Sequence, residues 1–422
     1  MNALKTRSRN TRRALMLGSA SAAAALVLAG CSSSGGDGGD DGDGGDGDGA
    51  SGDELKISTI LPQTGNLSFL GPPEFAGVEL AVAELEEAGY EYDISLSHHD
   101  SGDTTTDIAT QSADAVVQEG ASVVIGAASS GSSFTFIDKM IDANIVMISP
   151  ANTAPDFTDY DDNDVYWRTA PSDVLQGRVL GNLMTGNGAA NVAFLVVNDP
   201  YGTGLAENAR IAVESAGGSV VAEELFNPGE TNFATQVSSI MGQNPDAIAL
   251  ITFDEVNLAV PALSDAGVTG DMMYFVDGNL SNTFDFPEGT LEGALGTQPG
   301  AIAEGDFKDR LLEQDPELVD FNYAAESYDA VVLAALAAAQ GGGTDADTIK
   351  ANMQSVSEGG TKCTTIQECL DLLADGEDID YDGVSGPIEF NEQGDPTSAY
   401  IGVYEFGADN RYEFVRAEEG TI

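Results

Sequence analysis

Two hydroxyl-bearing turns stand at the ends of two short apolar runs. Val123–Gly126 leads into Ala128-Ser129-Ser130-Gly131-Ser132, and Ile145–Ser149 leads through Pro150 into Ala151-Asn152-Thr153. Serine and threonine supply neutral O–H donors, and backbone N–H groups at the end of a parallel strand point the same way. Such a pair of turns can hold a carboxylate without adding charge of its own. The runs are β-branched and bounded by Gly, Ser and Pro, as buried strands are. A serine of the first turn can cap the helix expected after it.

Other chemistry is weaker. The only histidines, His98 and His99, are adjacent at a strand end, where successive side chains face opposite ways. No G-x-S-x-G or H-E-x-x-H spacing is present, so hydrolytic nucleophile and zinc-protease readings find no support. Asp378, Asp380, Asp382, Gly383 and Glu389 fit a calcium-loop pattern, but Pro387 stands where the exiting helix should begin and GPIEFN alternates as a strand. The expectation is no enzyme activity, no metal and no cofactor.

The elements that must carry the two turns come from alternation. From Leu55 strands and helices follow one another in units of roughly thirty to forty residues, the pattern of a parallel sheet with crossover helices. LKISTILP, YDISLSHHD, VVIGA, IVMISP and VYWRTA read as strands of a first block. NVAFLVVND, VVAEELF, AIALITF and MMYFV read as strands of a second. Two such blocks suggest two lobes. A long Ala-rich helix near 320–340 follows, and the end reads as antiparallel strands GPIEFN, AYIGVYEF and RYEFVR.

Ahead of this lies a basic segment with Lys5, Arg7, Arg9, Arg12 and Arg13, then the apolar stretch Ala14–Leu28 and Leu28-Ala29-Gly30-Cys31. That arrangement resembles a bacterial lipoprotein signal, implying lipidation of Cys31 and an extracytoplasmic, membrane-anchored protein. Arg12-Arg13 leaves general and twin-arginine export both open. Residues 32–53 form a Gly/Asp tether with a reach of roughly 25 Å, and they lack the repeated apolar position of calcium-binding nonapeptides. No later stretch reads as a membrane span. With Cys31 assigned to lipid, Cys363 and Cys369 remain, and in an exported chain such a pair reads as a disulfide. The Thr365-x-x-Glu368 capping box sets Cys369 in the first turn of a helix.

Five of the 16 Lys and Arg lie in the signal, so eleven face 70 Asp and Glu, a formal charge of −59. Nucleic acid is excluded as a partner, because phosphate binding needs clustered cations. Such a surface either suits high salt or reflects compositional bias alone.

From Asp53 onward the chain resembles the leucine/isoleucine/valine-binding group of periplasmic-type receptors of ABC importers. The residues that carry the likeness are ILPQTGNLSFLG with EFAGVELAVAELEEAG, VVIGAASSGSS, ISPANTAP, WRTAPSDVLQG, VNDPYGTGLAEN and DGVSGPIEFNEQGDP, in the family's order. The resemblance implies an α/β fold of two doubly wound, Rossmann-like lobes joined by three crossovers near Pro171, Pro299 and Ile401. The lobes would be 54–170 plus 299–400 and 171–298 plus 401–422. It implies a monomeric receptor that closes on a small amino acid and delivers it to ABC permease subunits. A ligand sensor on the same fold, or a receptor for amides, urea-like compounds or small carboxylic acids, is the alternative.

Residue by residue, Ser130, Ala151 and Thr153 match the family's carboxylate contacts. Tyr201 and Asp277, on the opposite lobe, match its ammonium contacts. Leu70 and Phe253 stand at wall positions where the family's residues differ. Elementary electrostatics agrees: neutral donors suit the carboxylate, and one buried acid must meet the ammonium, because an unpaired buried charge is costly.

Overall fold

A computed structural model describes residues 54–300 and 303–421. Cys31, expected from the sequence to carry lipid, and the expected signal and tether lie outside the described residues.

The first block builds a five-stranded, wholly parallel sheet from β1 (Glu54–Leu61), β2 (Asp93–Asp100), β3 (Val123–Gly126), β4 (Val146–Ser149) and β5 (Tyr166–Arg168), in the order β2-β1-β3-β4-β5. The second uses β6 (Asn191–Val197), β7 (Ser219–Phe226), β8 (Ala247–Ile251), β9 (Met273–Phe275) and β10 (Leu295–Pro299). Strands β3, β4, β6 and β8 are buried almost throughout, because helices cover both faces of a parallel sheet. β10, LGTQP, has no apolar pattern and was not legible as a strand. It is held by pairing with β9 on one side and the C-terminal strands on the other.

A small sheet follows, made of β11 (Thr361–Cys363), β12 (Ile379–Gly383) and β13 (Gly386–Pro387). The chain then enters the larger sheet with β14 (Ser398–Phe406) and β15 (Tyr412–Thr421), both antiparallel to their neighbours, giving the order β15-β14-β10-β9-β8-β6-β7. The expected strand GPIEFN shrinks to two-residue β13 and a single bridge from Phe390 to Pro396. Pro387 offers no N–H to extend a ladder.

The Ala-rich helix is Ala324–Gly341, and it is buried on all sides from Ala324 to Ala338. Its small side chains let it lie against the helix Gly71–Glu87 beneath the first sheet. One polar group in it has a task. Asp329 accepts hydrogen bonds from Tyr381 Oη (2.7 Å), Val384 N (3.1 Å), Ser385 N (2.7 Å) and Ser385 Oγ (2.5 Å). Burial pushes its carboxyl up to about 6, opposed by those donors. Gly383 passes so close that a Cβ there would meet the Asp329 carboxylate at 2.3 Å. The stretch that matched a calcium-loop pattern is therefore strand and turn with partners of its own. Asp380 and Asp382 face Lys362 at 3.3 and 3.0 Å.

Cys363 and Cys369 are joined in a disulfide, linking β11 to the helix Ile366–Ala374. Thr365 Oγ1 accepts from Glu368 N, but the Glu368 carboxylate receives Thr364 N, one residue earlier than the capping-box pattern implies. His98 and His99 take separate partners, Thr59 with Glu79 and Glu119 respectively. No helix among the described residues is long and apolar enough to cross a membrane.

Arg168 at the end of β5 is fully buried, and its Nε donates to Asp395 Oδ1 at 2.6 Å. Nη1 donates to the carbonyls of Ala154 (2.8 Å) and Asn152 (3.3 Å), and Nη2 to Thr158 Oγ1 (3.1 Å). Removing the carboxylate strands a buried guanidinium. Asp395→Ala is expected to lower unfolding free energy by roughly 3–5 kcal/mol in a denaturant titration; an unchanged midpoint would contradict that.

Candidate ligand-binding cleft

The two hydroxyl-bearing turns lie side by side at the carboxyl ends of β3 and β4. Ser129 caps the short helix Ser130–Phe134, accepting from Ser132 N at 3.2 Å. Ser149 Oγ donates to Ala127 O (2.7 Å) and accepts from Asn152 N (2.9 Å). Asn152 Nδ2 donates to the carbonyls of Ala127 and Ala128, both at 2.9 Å, while its Oδ1 receives Tyr166 Oη. The turns are thereby bolted to each other. Ser130 Oγ accepts from Ala154 N (3.3 Å), which leaves its own O–H to donate elsewhere.

The second lobe answers from three loops. Asp199 caps the helix Pro200–Ser215, accepting from Gly202 N at 2.8 Å, and sets Tyr201 in its first turn. Phe253 follows β8 and stacks on Tyr201 with centroids 5.5 Å apart. Asp277 follows β9 and is 4% exposed. Its Oδ1 accepts from Tyr201 Oη (2.8 Å) and Gln176 Nε2 (2.9 Å), and its Oδ2 from Tyr323 Oη (2.7 Å). Burial raises the Asp277 carboxyl, and these donors pull it back. Next to it Gly278 is required by space, since a Cβ would stand 3.0 Å from the Tyr201 hydroxyl and 2.9 Å from Thr252 O.

Ser130, Ala151, Tyr201, Phe253, Asp277 and Leu70 line one narrow pocket between the lobes, whose free volume of ≈ 10 Å³ is room for about a single water. Thr153 is fully buried beside this cavity, outside its lining, and its hydroxyl has no partner. The lobes meet around the cavity. Phe69 packs edge-to-face on Phe284 at 5.1 Å, and Asp254 N donates to Asn66 O at 3.3 Å. Leu67 and Ala128 join Leu70, Ala151 and Phe253 as the pocket's apolar lining, and Ser129, Ser130, Asp277, Tyr201 and Tyr323 are its polar lining.

Two residues around Asp277, Tyr323 and Gln176, escaped the sequence reading. Tyr323 precedes the Ala-rich helix in the left-handed region, at φ 62°. Gln176 and Asp173 sit one turn apart on the helix Asp173–Gly186. The string SDVLQG gave a usable hint, a serine cap followed by polar residues at i and i+3 on one face. An acid in a first turn, however, is ordinarily explained by the helix dipole.

The sequence pattern of the family described as periplasmic binding protein matches residues 54–367. The chain belongs to that family. A Leu/Ile/Val/Thr-binding protein of Salmonella typhimurium is 26% identical over 367 residues, covering 85% of this chain and 93% of the relative. A branched-chain amino-acid transporter substrate-binding protein of Streptococcus pneumoniae, solved with isoleucine, superposes with a TM-score of 0.70 at 21% identity, covering 87% of this chain and all of that one. A solute-binding protein of an ABC transporter from R. palustris, solved with benzoate, gives 0.68 at 15% identity over 87% of this chain and 97% of that one. These structural likenesses establish the shared two-lobed α/β fold.

Asp199 lies on the seam between the lobes, its Oδ2 buried without a partner. Burial, with Glu255 adding repulsion, pushes its carboxyl up to about 7. The folded state therefore holds this proton to higher pH than the unfolded chain, and stability falls as pH rises from about 4 to about 7. Asp199→Asn keeps a capping oxygen and removes the charge. It is expected to stabilise the protein at pH 8 by on the order of 2–4 kcal/mol, and to change nothing at pH 4. Equal thermal shifts at both pH values would contradict the assignment.

Proposed function

We propose that this protein is an extracytoplasmic receptor for a small α-amino acid with an apolar side chain, branched-chain or a related aliphatic or aromatic one, and that it hands this ligand to an ABC importer. The observation that carries the reading is the lining of the pocket, where Ser129 and Ser130 of one lobe meet the buried Asp277 of the other among Leu67, Leu70, Ala128 and Phe253. Ser130 and the Ala151 backbone hold the ligand carboxylate, and Thr153, buried outside the lining, backs the turn that carries Ala151. Asp277 takes the ammonium, and Tyr201, Gln176 and Tyr323 fix the Asp277 carboxylate in place. Leu67, Leu70, Ala128 and Phe253 enclose the side chain. A ligand contacted from both lobes binds the closed form better than the open one, so it shifts the population toward closure.

The lobes are 54–170 with 299–400 and 171–298 with 401–422, hinged where the chain crosses between the sheets. The receptor acts as a monomer anchored through lipid on Cys31, performs no chemistry on its ligand, and presents its closed form to the permease. Names and complexes of the relatives support an amino-acid ligand. The benzoate complex keeps small carboxylic acids in view. Asp277 argues against them here, because an anionic ligand without an ammonium would leave that carboxylate uncompensated.

Isothermal calorimetry with the common amino acids tests this directly. At least one of leucine, isoleucine, valine and phenylalanine is expected to bind, and its analogue without the amino group (4-methylpentanoate for leucine) far more weakly. Ser130→Ala is expected to weaken binding by roughly 1.5–3 kcal/mol, the range for a hydrogen bond to a charged group. Asp277→Ala is expected to cost about 3–5 kcal/mol. Equal affinity for the amino acid and its des-amino analogue would overturn the reading.

A further inference from the structure

The segment just ahead of the Ala-rich helix lies between the two cores. Leu318 and Phe321 pack with the core of the first sheet, while Tyr323 joins the core of the second. Asp320, Asn322 and Tyr323 all bond to the loop that follows β9, which opens with Asp277. Asp320 is 4% exposed, and its Oδ2 accepts from Ser281 Oγ (2.7 Å) and Asn282 N (2.8 Å). Asn322 Nδ2 donates to Leu280 O at 2.8 Å, and Tyr323 Oη donates to Asp277 Oδ2 at 2.7 Å. Residue numbers rise along one segment as they fall along the other, so the two lie antiparallel, laced together by side chains.

The C-terminal strand closes the arrangement. Tyr412 at the head of β15 shares its Oη proton between Asp320 Oδ1 (3.0 Å) and Asn322 Oδ1 (3.2 Å), and its backbone N–H donates to Asn282 Oδ1 at 3.0 Å. Asp320, Asn282 and Tyr412 thus form a closed triangle of hydrogen bonds. A carboxylate accepting three donors is a stronger anchor than an amide or hydroxyl in the same place.

Firm anchoring is needed here. Tyr323 takes a left-handed backbone, φ 62°, which a bulky residue adopts rarely and keeps only where its surroundings over-determine it. Asn322 fixes the chain just before it, and Ser327 N donates to Tyr323 O at 3.0 Å just after it. A segment released to an ordinary backbone conformation would carry the Tyr323 ring away, and Asp277 would lose one of its three donors. Tyr323 lines the pocket, whereas Asp320 stands outside the lining.

We propose that Asp320 is a positioning residue for the ammonium subsite: it anchors residues 320–323 against the loop 277–282 and so sets the Tyr323 hydroxyl on Asp277. Asp320 meets no ligand and acts through Tyr323. The C-terminal strand takes part through Tyr412, so a residue 135 positions beyond Asp277 helps to hold the carboxylate that receives the ligand's ammonium. Ordering that carboxylate before the ligand arrives raises affinity by removing the cost of ordering it on binding.

This inference rests on the amino-acid reading, and a double-mutant cycle separates the two. Calorimetry is run on the purified full-length protein with whichever of leucine, isoleucine, valine and phenylalanine binds it. Tyr323→Phe and Asp320→Ala are each expected to weaken binding by about tenfold. The double variant is expected to bind no worse than Tyr323→Phe alone, because Asp320 has no other route to the ligand. Where Asp320→Ala does not fold, Tyr412→Phe, which removes one hydroxyl from the same triangle, takes its place in the cycle with the same expectation of no added loss. Losses that add, or full affinity in either single variant, overturn the positioning role and leave the receptor reading standing. No binding of any of the four amino acids by the wild type contradicts the receptor reading, and this inference falls with it.

Discussion

Keeping a carboxylate out of water costs several kcal/mol unless donors and an opposite charge meet it. Asp277 is 4% exposed, and the cleft is arranged to meet that demand. Tyr201, Gln176 and Tyr323 reach it from three separate elements, and all three hydrogen bonds lie between 2.7 and 2.9 Å. Those donors hold the carboxylate in one place without cancelling its charge. The charge itself is left for a cation, and on the other side of a small apolar cavity stand neutral donors suited to an anion. A zwitterion with one carbon between its charged groups satisfies both ends at once.

That arrangement depends on a second buried charge, Arg168, which never reaches the cavity. By donating to the carbonyls of Asn152 and Ala154 and to Asp395, Arg168 fixes the second hydroxyl-bearing turn from behind. Asn152 then passes the constraint to the first turn through Ala127 and Ala128. Rigid supports of this kind matter because a ligand of few atoms cannot pay to order its own site. In so acidic a protein, a positive charge spent inside the fold is also one not spent on the surface.

Strand and helix periodicity made most of the fold legible. β3, β4, β6 and β8 were readable because parallel strands covered on both faces are almost continuously apolar, as VVIG and AIALI are. β10 was not readable, since LGTQP owes its extended form to neighbours on both sides rather than to its own residues. GPIEFN misled for the opposite reason: its alternation is genuine, but Pro387 cannot donate, and pairing stops after two residues. In the site, Ser130, Ala151, Tyr201, Phe253, Asp277 and Leu70 were named from motifs and meet around one cavity. Tyr323 gave no signal, because its role comes from a left-handed backbone turn ahead of a helix over a hundred residues from the first polar turn.

The central claim is that the cleft between the lobes holds a zwitterion. Native mass spectrometry of the purified protein, followed by release and identification of any bound small molecule, tests it without assuming a ligand in advance. The account predicts a retained α-amino acid with an apolar side chain. A retained molecule that lacks an amino group would contradict it.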